Sequence, residues 1–314
     1  MSVGRFRQIF NIEIIDKIIF HYFSYFKRIF KKEIFEYSLG MHFHNFILKF
    51  IKGVNTKLIG KFKSNYFIFF NDIKFISRDL RIYYNLIRYG EYESASSYIF
   101  NSLIKKDMIV LDIGGNIGYF SLIASKLVGK LGKVYVFEPD PTNIMFLRKN
   151  IELNKIKNIT LVNKCVSNEE GVLTLYLHPK FHSCHSIFKS ASKSINHIDV
   201  ESITLDDMFS NEYFKIPFIK MDIEGAEIEA LKGMGKMLEK NKVLYLLTEC
   251  NLRILKSIGK GADHLILELG KYFNKFYIIK DDRSLNLELF SDKEVLIKYL
   301  NSLTQNNLNI LCIK

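Results

Sequence analysis

The fold of this chain is decided by one stretch, Val110-Leu111-Asp112-Ile113-Gly114-Gly115-Asn116-Ile117-Gly118. An apolar run reaches Asp112, a glycine-rich turn follows, and the apolar residues after the turn recur at helical spacing. A strand that ends in such a turn at a helix N-terminus lets the backbone approach a small ligand closely. Because residue 116 is asparagine, the stretch departs from the G-x-G-x-x-G spacing that binds dinucleotide phosphates. The sequence therefore predicts a nucleotide-type site with an acid at its strand end.

On both sides of this stretch, apolar strands alternate with amphipathic helices. Further strands are predicted at 133–137, 159–162, 218–222, 243–247, 276–279 and 308–313, and a hairpin at 65–76. This rhythm predicts an α/β fold, a doubly wound, mostly parallel sheet with helices on both faces. Such sheets bind ligands at the carboxyl ends of their strands, where Asp112, Glu138 and residues 163–167 fall. A polar segment at 179–196 is predicted to be a long loop.

Glu138 follows the strand predicted at 133–137, 26 residues after Asp112. Two residues later, Asp140 is predicted to be the N-cap of a helix that begins at Pro141. An acid at the position of Glu138 can accept hydrogen bonds from both ribose hydroxyls of a nucleoside, although it could instead only cap the following helix. NAD enzymes use an acid in the same way, so Glu138 alone does not distinguish NAD from other nucleoside cofactors. The departure from the glycine spacing of dinucleotide-binding sites does. It favours a cofactor without a pyrophosphate, and S-adenosylmethionine fits. Its ammonium and carboxylate are expected at the glycine turn and Asp112, and its sulfonium near carboxylates and aromatic faces such as Tyr119.

Three acids, Asp222, Glu224 and Glu227, lie within six residues at the end of the predicted strand 218–222. Clustered carboxylates bind a divalent cation or supply a general base, and the sequence leaves both uses open. Glu224 and Glu227 are three residues apart, so the sequence predicts that they share one face of a first helical turn. An alternative is stabilisation of the helix dipole, which explains these two glutamates but not Asp222 at an apolar strand end.

The polar loop contains His182-Ser183-Cys184-His185, which suggests a zinc site. A structural zinc site needs four nitrogen or sulfur ligands, and the sequence offers no second pair nearby. We therefore assign no metal ligands and expect a loop that contacts a polar acceptor, with His182 or His185 as an accessory base. A plain loop without such a role is the alternative.

Charge and cysteine content limit the remaining options. The net charge is +12, and residues 1–80 hold 14 Lys/Arg against 6 Asp/Glu, so the basic excess lies away from the glycine turn. Apolar residues at helical spacing across 6–32 predict one or two basic helices. These helices could contact an anionic membrane surface or a partner. The alternative is that they pack on their own domain and expose the basic face to solvent. Four cysteines without a paired pattern, and no signal peptide, predict a cytoplasmic protein. We expect a helical extension at 1–63 and the α/β domain at 64–314.

Several of these motifs, in this order, make residues 90–249 resemble the FkbM-type methyltransferases. The matching segments, together with a similar last strand, are Gly90-Glu91-Tyr92-Glu93, Val110 to Gly118, Phe137-Glu138-Pro139, Ile203-Thr204-Leu205-Asp206, Ile219 to Glu227, Thr248 to Asn251 and Asn309 to Ile313. The segment from Ile219 to Glu227 is similar to the most distinctive motif of the family, IKxDxEGxE. Two positions depart from the pattern: Gly115 stands where alanine is commoner, and Asn251 stands where the family often has histidine.

The resemblance implies a Rossmann-like class I methyltransferase fold and transfer of a methyl group from S-adenosylmethionine, usually to a hydroxyl oxygen of a glycan sugar or a natural product. The residues then expected at the cofactor are Glu93, Asp112, Gly114, Gly115, Asn116, Gly118, Tyr119 and Glu138, with Cys165 and Val166 at the adenine. The residues expected at the transfer centre are Asp222, Glu224, Glu227 and His185. A divalent cation beside them stays open.

Two other functions remain open at this point. The net charge of +12 suggests a nucleic-acid methyltransferase acting on RNA, but the four prolines fit neither the Pro-Pro-aromatic loop of adenine enzymes nor the Pro-Cys pair of cytosine enzymes. A non-catalytic scaffold that only binds the cofactor is the other alternative, and Asp112, Glu138 and Asp222 argue against it. We expect a small-molecule or glycan acceptor and no specific nucleic acid.

Overall fold

The computed structural model describes residues 66–70, 73–77, 82, 85–86, 91–179, 183–192, 195–211, 216–279, 287–304 and 307–314. The chain divides into two compact units, residues 1–92 and 93–314. The predicted basic helices and His182 lie outside the described residues, so the expected boundary between 1–63 and 64–314 stays a prediction. In the described part of the chain, no helix has the length and apolar character needed to cross a membrane.

The first unit contains the predicted hairpin. Strands β1 (Tyr66–Phe70) and β2 (Ile73–Ser77) pair antiparallel, with Phe70 opposite Ile73 at the turn. Side chains along β2 alternate between buried and half-buried, which is the period of two expected for a strand with one covered face.

The second unit alternates strands and helices as the sequence predicted. Its first elements are α1 (Ser94–Leu103), β3 (Ile109–Ile113), α2 (Tyr119–Val128), β4 (Lys133–Phe137), α3 (Pro141–Leu153) and β5 (Ile159–Val162). The next elements are β6 (Cys165–Val166), β7 (Gly171–Tyr176), α4 (Lys189–Ser192), β8 (His197–Ile203), α5 (Leu205–Met208) and β9 (Phe218–Met221). The last elements are α6 (Glu227–Lys232), α7 (Gly235–Lys240), β10 (Tyr245–Asn251), α8 (Leu252–Ser257), α9 (Ala262–Leu269), β11 (Lys275–Ile279), β12 (Leu287–Phe290), α10 (Lys293–Ser302) and β13 (Asn307–Ile313).

Eight strands form the central sheet, in the order β12-β11-β13-β10-β9-β3-β4-β5. The strands from β10 to β5 in this order pair in parallel, whereas β13, β11 and β12 join antiparallel. The chain runs outward from β3 to β5 and later returns to β9, on the other side of β3, so a topological switch point lies between β3 and β9. Ligands of doubly wound sheets bind at this point. The predicted α/β fold is confirmed, and the glycine turn and Asp222 both follow strands that border the switch point.

A second, smaller sheet has the order β6-β8-β7 and a buried cluster of Cys165, Leu175 and Val200. The segment 179–196, predicted as one loop, departs from that prediction in its described parts. Ser186 forms a β-bridge to Tyr176, and α4 closes because Phe188 O accepts the amide N–H of Ser192. These bonds join the segment to β7 of the smaller sheet and close a short helix within it.

Strands β3 and β9 are buried on both faces, as expected for central strands of a parallel sheet. Val110, Leu111 and Ile113 are fully buried in β3, as are all of the apolar residues of β9. Lys220, in the middle of β9, is a charged residue with only 5% of its surface exposed. A buried ammonium is unfavourable unless it is paired, so Lys220 marks a site where negative charge is concentrated.

Candidate active site

The glycine turn after β3 lies directly against the end of β9. Gly114 has a φ of +82°, and its N–H, like that of Gly115, donates to Phe137 O at the end of β4. A Cβ atom on Gly114 would lie 1.9 Å from the carbonyl oxygen of Asp222. Any side chain is therefore excluded here by both conformation and space. The turn that is expected to hold the cofactor is thus in van der Waals contact with the first residue of the acid cluster.

Asp112 carries a buried carboxylate below this turn. Its Oδ2 accepts a hydrogen bond of 2.5 Å from Ser121 Oγ, while its Oδ1 is buried and has no hydrogen-bond partner among the described residues. Burial raises the pKa of Asp112, and the opposing charge of Lys220 does not cancel this effect. An unpaired buried acceptor is unfavourable, so Oδ1 fits a donor that arrives with a ligand, such as an ammonium group.

Glu138 joins the glycine turn to the beginning of α3. Its Oε2 accepts from Asn116 N–H at 2.8 Å, and its Oε1 accepts from Asp140 N–H at 2.9 Å. Burial raises the pKa of Glu138 to about 7, although these hydrogen bonds act in the opposite direction. The N-cap of α3 is Asp140, as predicted, since its side chain accepts from Thr142 N–H. Glu138 is therefore not the capping residue, and it braces the turn at the position expected for the ribose.

The acids beyond β9 form a cluster that includes one residue missed by the sequence analysis. Asp222, Glu224 and Glu249 each offer a carboxylate oxygen, and these atoms lie within 4.8 Å of one another. Burial, together with the neighbouring negative charges, raises the pKa of both Glu224 and Glu249 well above the usual range. Glu249 lies in β10 and is adjacent to Asp222 because β10 pairs with β9. One acidic site is thus formed by Asp222 after β9, Glu224 in the following turn and Glu249 in β10.

Lys220 connects this cluster to the cofactor side. Its Nζ lies 3.1 Å from Asp222 Oδ2 and 4.6 Å from the centre of the Phe120 ring. Burial alone would lower the pKa of Lys220, but the charges of Asp222, Asp112 and Glu93 outweigh it and raise this pKa. Lys220 is therefore a buried cation held between the expected cofactor residues and the acids of the transfer centre. No role was predicted for Lys220 from the sequence.

Glu227 has a different position from the one predicted. Helix α6 begins at Glu227, whereas Glu224 lies before the helix with a φ of +52°. The prediction that both glutamates share a helical face is wrong, because Gly225, with a φ of +102°, permits a left-handed turn between them. Glu227 Oε1 accepts from the N–H groups of Ile223 and Gly225, at 3.2 and 3.3 Å. Burial raises the pKa of Glu227 to about 7. This residue holds the turn that presents Glu224.

The polar loop reaches both halves of the site. Ser186 Oγ donates to Glu224 O at 2.7 Å, and the Cys184 thiol hydrogen-bonds the Glu224 side chain. His185 turns the other way: its Nδ1 accepts from His178 N–H, and its Nε2 lies 3.2 Å from Asp140 Oδ2. Cys184 and His185 therefore contact different carboxylates. The role of His185 as an accessory base stays a prediction.

The remaining expected cofactor residues lie around the same edge of the sheet. Cys165 and Val166 form β6 and are buried, and burial raises the pKa of the Cys165 thiol to about 12. Tyr119 begins α2 and its hydroxyl is 3.2 Å from Ser97 Oγ. Glu93 precedes α1 with a φ of +49°, a conformation that is uncommon for a residue with a side chain. Their contact with a cofactor stays a prediction.

The mostly parallel sheet, its switch point and the glycine turn define the class of this protein as a Rossmann-like α/β protein of the class I methyltransferase type. Residues 112–277, more than half of the chain, match the family described as the Methyltransferase FkbM domain. The chain belongs to the FkbM methyltransferase family, and the resemblance found in the sequence is confirmed.

Individual relatives are distant. Methyltransferase 1 of Beauveria bassiana is 24% identical over 147 residues, which are 41% of this chain and 59% of the relative. Hexuronic acid methyltransferase AglP of Haloferax volcanii is 28% identical over 136 residues, 43% of this chain and 53% of the relative. The crystal structure of methyltransferase FkbM from Methylobacillus flagellatus is 18% identical, with a TM-score of 0.41 over 73% of this chain and 52% of that chain. The chain spans about 60% of the length of the first two curated relatives that it matches.

Proposed function

We propose that this protein is an S-adenosylmethionine-dependent O-methyltransferase whose acceptor is a sugar or another molecule that carries hydroxyl groups. One observation carries the proposal. The glycine turn touches the backbone of Asp222, where a Cβ on Gly114 would lie 1.9 Å from Asp222 O. A methyl donor bound at the turn would therefore lie beside a cluster of carboxylates that can receive an acceptor hydroxyl.

The residues present fit the cofactor. The unpaired Oδ1 of Asp112 suits its ammonium group, and Glu138, at the end of β4, suits its ribose hydroxyls. The bound cofactor would supply an electrophilic methyl group on a sulfonium. Cys165 and Val166, in β6, are assigned to the adenine because they are apolar and follow the strand next to Glu138. We assign these roles to the same residues that the sequence analysis selected.

The acid cluster is assigned to the acceptor. An alcohol is a poor nucleophile, and a carboxylate within hydrogen-bond reach increases its reactivity by accepting its proton. Asp222 remains our choice for this contact, because Lys220 fixes its Oδ2 and the residue adjoins the glycine turn. Glu224, which Glu227 and Ser186 position, is assigned to bind the acceptor. Holding donor and acceptor in line supplies much of the expected rate enhancement.

The choice of a sugar acceptor rests on two supports. The FkbM family resemblance implies an oxygen acceptor, often in a glycan. In addition, one relative is called a hexuronic acid methyltransferase, at 28% identity. Cytoplasmic location and contact of the basic N-terminal residues with a membrane surface or a partner protein are further proposals, which depend on residues outside the described part of the chain.

The proposal is tested by incubating the protein with S-adenosylmethionine labelled in the methyl group. Separate reactions contain neutral sugars, uronic acids, a hydroxyl-bearing natural-product extract, or total RNA. We expect label in a sugar or another hydroxyl compound, as an ether stable to mild base. Label in RNA would replace the proposal by the nucleic-acid alternative, and cofactor binding without transfer to any acceptor class would favour the scaffold alternative.

Cofactor affinity is expected to rise about tenfold between about pH 6 and about pH 8, because Glu138 must be ionised to accept two ribose hydroxyls and its pKa lies at about 7. The stability of the unliganded protein changes with pH in the opposite direction. Because the pKa of Glu138 is raised in the folded protein, protonated Glu138 favours folding. This contribution to the free energy of unfolding is complete below about pH 4.5 and is lost as pH rises through about 7. Calorimetric titration with S-adenosylhomocysteine at several pH values measures the first effect.

Glu138→Gln is the control for this pH dependence, because glutamine keeps the size of the side chain and does not titrate. We expect the variant to bind more weakly and to lose most of the pH dependence between about pH 6 and about pH 8. An equal pH dependence in the variant and the natural chain would show that another group is responsible.

A further inference from the structure

We propose that Asp222, Glu224 and Glu249 form a binding site for a hard divalent cation of the Mg²⁺ and Mn²⁺ class. This inference rests on the proposed function and deepens it. The ion would lower the pKa of the acceptor hydroxyl at the transfer centre, and a carboxylate of the cluster would still accept the proton as the oxygen takes the methyl group. From the sequence, a divalent cation was left open beside Asp222, Glu224 and Glu227, and Glu249 was not included in the site.

The geometry of the three carboxylates is that of a preformed site. One oxygen from each residue lies within 4.8 Å of the other two. This separation suits oxygens that share one ion at metal–oxygen distances of about 2.0–2.6 Å. The residues come from fixed elements: Asp222 follows β9, Glu249 lies within β10, and the two strands pair in parallel up to Met221 and Thr248. Glu224 lies in a turn that is held by hydrogen bonds from the N–H groups of Ile223 and Gly225 to Glu227 Oε1.

A second, independent observation points to a ligand. The Oε2 atom of Glu249 is buried and has no hydrogen-bond partner within the described ranges, and the residue is only 6% exposed. Its carboxylate is directed into the cluster. A buried carboxylate oxygen without a partner is strongly unfavourable, so such an atom is expected where a ligand completes the site. A cation bound between the three residues would supply the missing partner.

Charge and ligand type select the kind of ion. Metal binding requires the three carboxylates to be ionised. The ammonium of Lys220, bonded to Asp222 Oδ2, offsets their negative charge only in part, because it also faces Asp112 and Glu93. A divalent cation would neutralise charge that Lys220 leaves uncompensated. An all-oxygen ligand set suits Mg²⁺, Mn²⁺ or Ca²⁺, whereas zinc prefers nitrogen and sulfur ligands. The half-exposed Asp222 and Glu224 leave room for water or an acceptor hydroxyl to complete the coordination.

The experiment is a titration of the full chain with Mn²⁺, without cofactor, followed by electron paramagnetic resonance of the free ion. We expect one saturable site, displaced by Mg²⁺ or Ca²⁺ added in excess. Glu249→Gln is expected to weaken Mn²⁺ binding at least tenfold, since it removes a charged ligand with little change in shape. Circular dichroism and thermal unfolding verify that this variant folds.

Glu268→Gln is the matched control. Glu268 is buried to a similar degree, at 7% exposure, but it lies in α9 and pairs with Lys271. Its variant is expected to bind Mn²⁺ like the natural chain. The same preparation is titrated with S-adenosylhomocysteine, which tests the proposed function separately from the cation site. Cofactor binding without a saturable Mn²⁺ site would overturn the cation site alone. Mn²⁺ binding that is unchanged in Glu249→Gln would do the same. Absence of cofactor binding would instead overturn the proposed function.

Discussion

Replacement of Gly114 by alanine is expected to weaken binding of S-adenosylmethionine about 100-fold or more. The new Cβ would lie 1.9 Å from the carbonyl oxygen of Asp222, and the residue would also keep a φ of +82°. Neither β3 nor β9 can yield easily, because both are buried central strands. Displacement of the turn costs on the order of 3 kcal/mol, which corresponds to the expected loss of affinity. Calorimetric titration of the folded variant measures it.

Gly129→Ala is the matched control for this variant. Gly129 also has a positive φ, +70°, but a Cβ atom there would meet nothing within 4 Å. Its replacement therefore reports backbone strain without a clash, at about 1–3 kcal/mol of stability and with no effect on affinity. If Gly114→Ala bound the cofactor as tightly as Gly129→Ala, the turn would not be the cofactor site.

Asp222→Asn is expected to lower the rate of methyl transfer by about 10²–10⁴-fold, the usual contribution of a group that accepts a proton or polarises a hydroxyl. Cofactor affinity is expected to change less than about threefold, because the amide oxygen can still accept from Lys220 and Asp112 remains beside the turn. Single-turnover transfer of a labelled methyl group, with the acceptor found in the panel, measures the rate. The fall should appear in the single-turnover rate constant and not in the cofactor Kd.

Asp263→Asn serves as the control for this second prediction. Asp263 lies in the first turn of α9, outside the acid cluster, and its side chain is 47% exposed. Its variant should transfer methyl groups at the natural rate. Full transfer by Asp222→Asn would remove Asp222 from the reaction, and a parallel loss of cofactor binding would assign it to the cofactor instead.

Local patterns predicted the elements of the fold because each is encoded within a few consecutive residues. The strand, turn and helix around Gly114 appear where the apolar run, the glycines and the helical spacing place them. Asp140 was predicted as an N-cap because it directly precedes Pro141, and its side chain accepts from Thr142 N–H. Strand β10 extends to Asn251, beyond the predicted end at 247, since β13 pairs with it over its full length.

The candidate site could be predicted only in part, because some of its contacts depend on the pairing of strands. Glu249 is 27 residues from Asp222 and reaches it through the β9–β10 register. Lys220 could have been noticed, as a charged residue within an otherwise apolar strand. The position of Glu224 was mispredicted because Gly225 adopts a left-handed conformation that delays the start of the helix to Glu227.

The turn after β3, with Asp112 and Glu138, is proposed to hold an adenosyl cofactor without a pyrophosphate. The most direct measurement is a calorimetric titration of the full chain with S-adenosylmethionine, with NAD⁺ as the competing dinucleotide. We expect saturable binding of one S-adenosylmethionine per chain, with a dissociation constant in the micromolar range, and no saturable binding of NAD⁺. Saturable binding of NAD⁺, or no binding of S-adenosylmethionine by the folded protein, would contradict it.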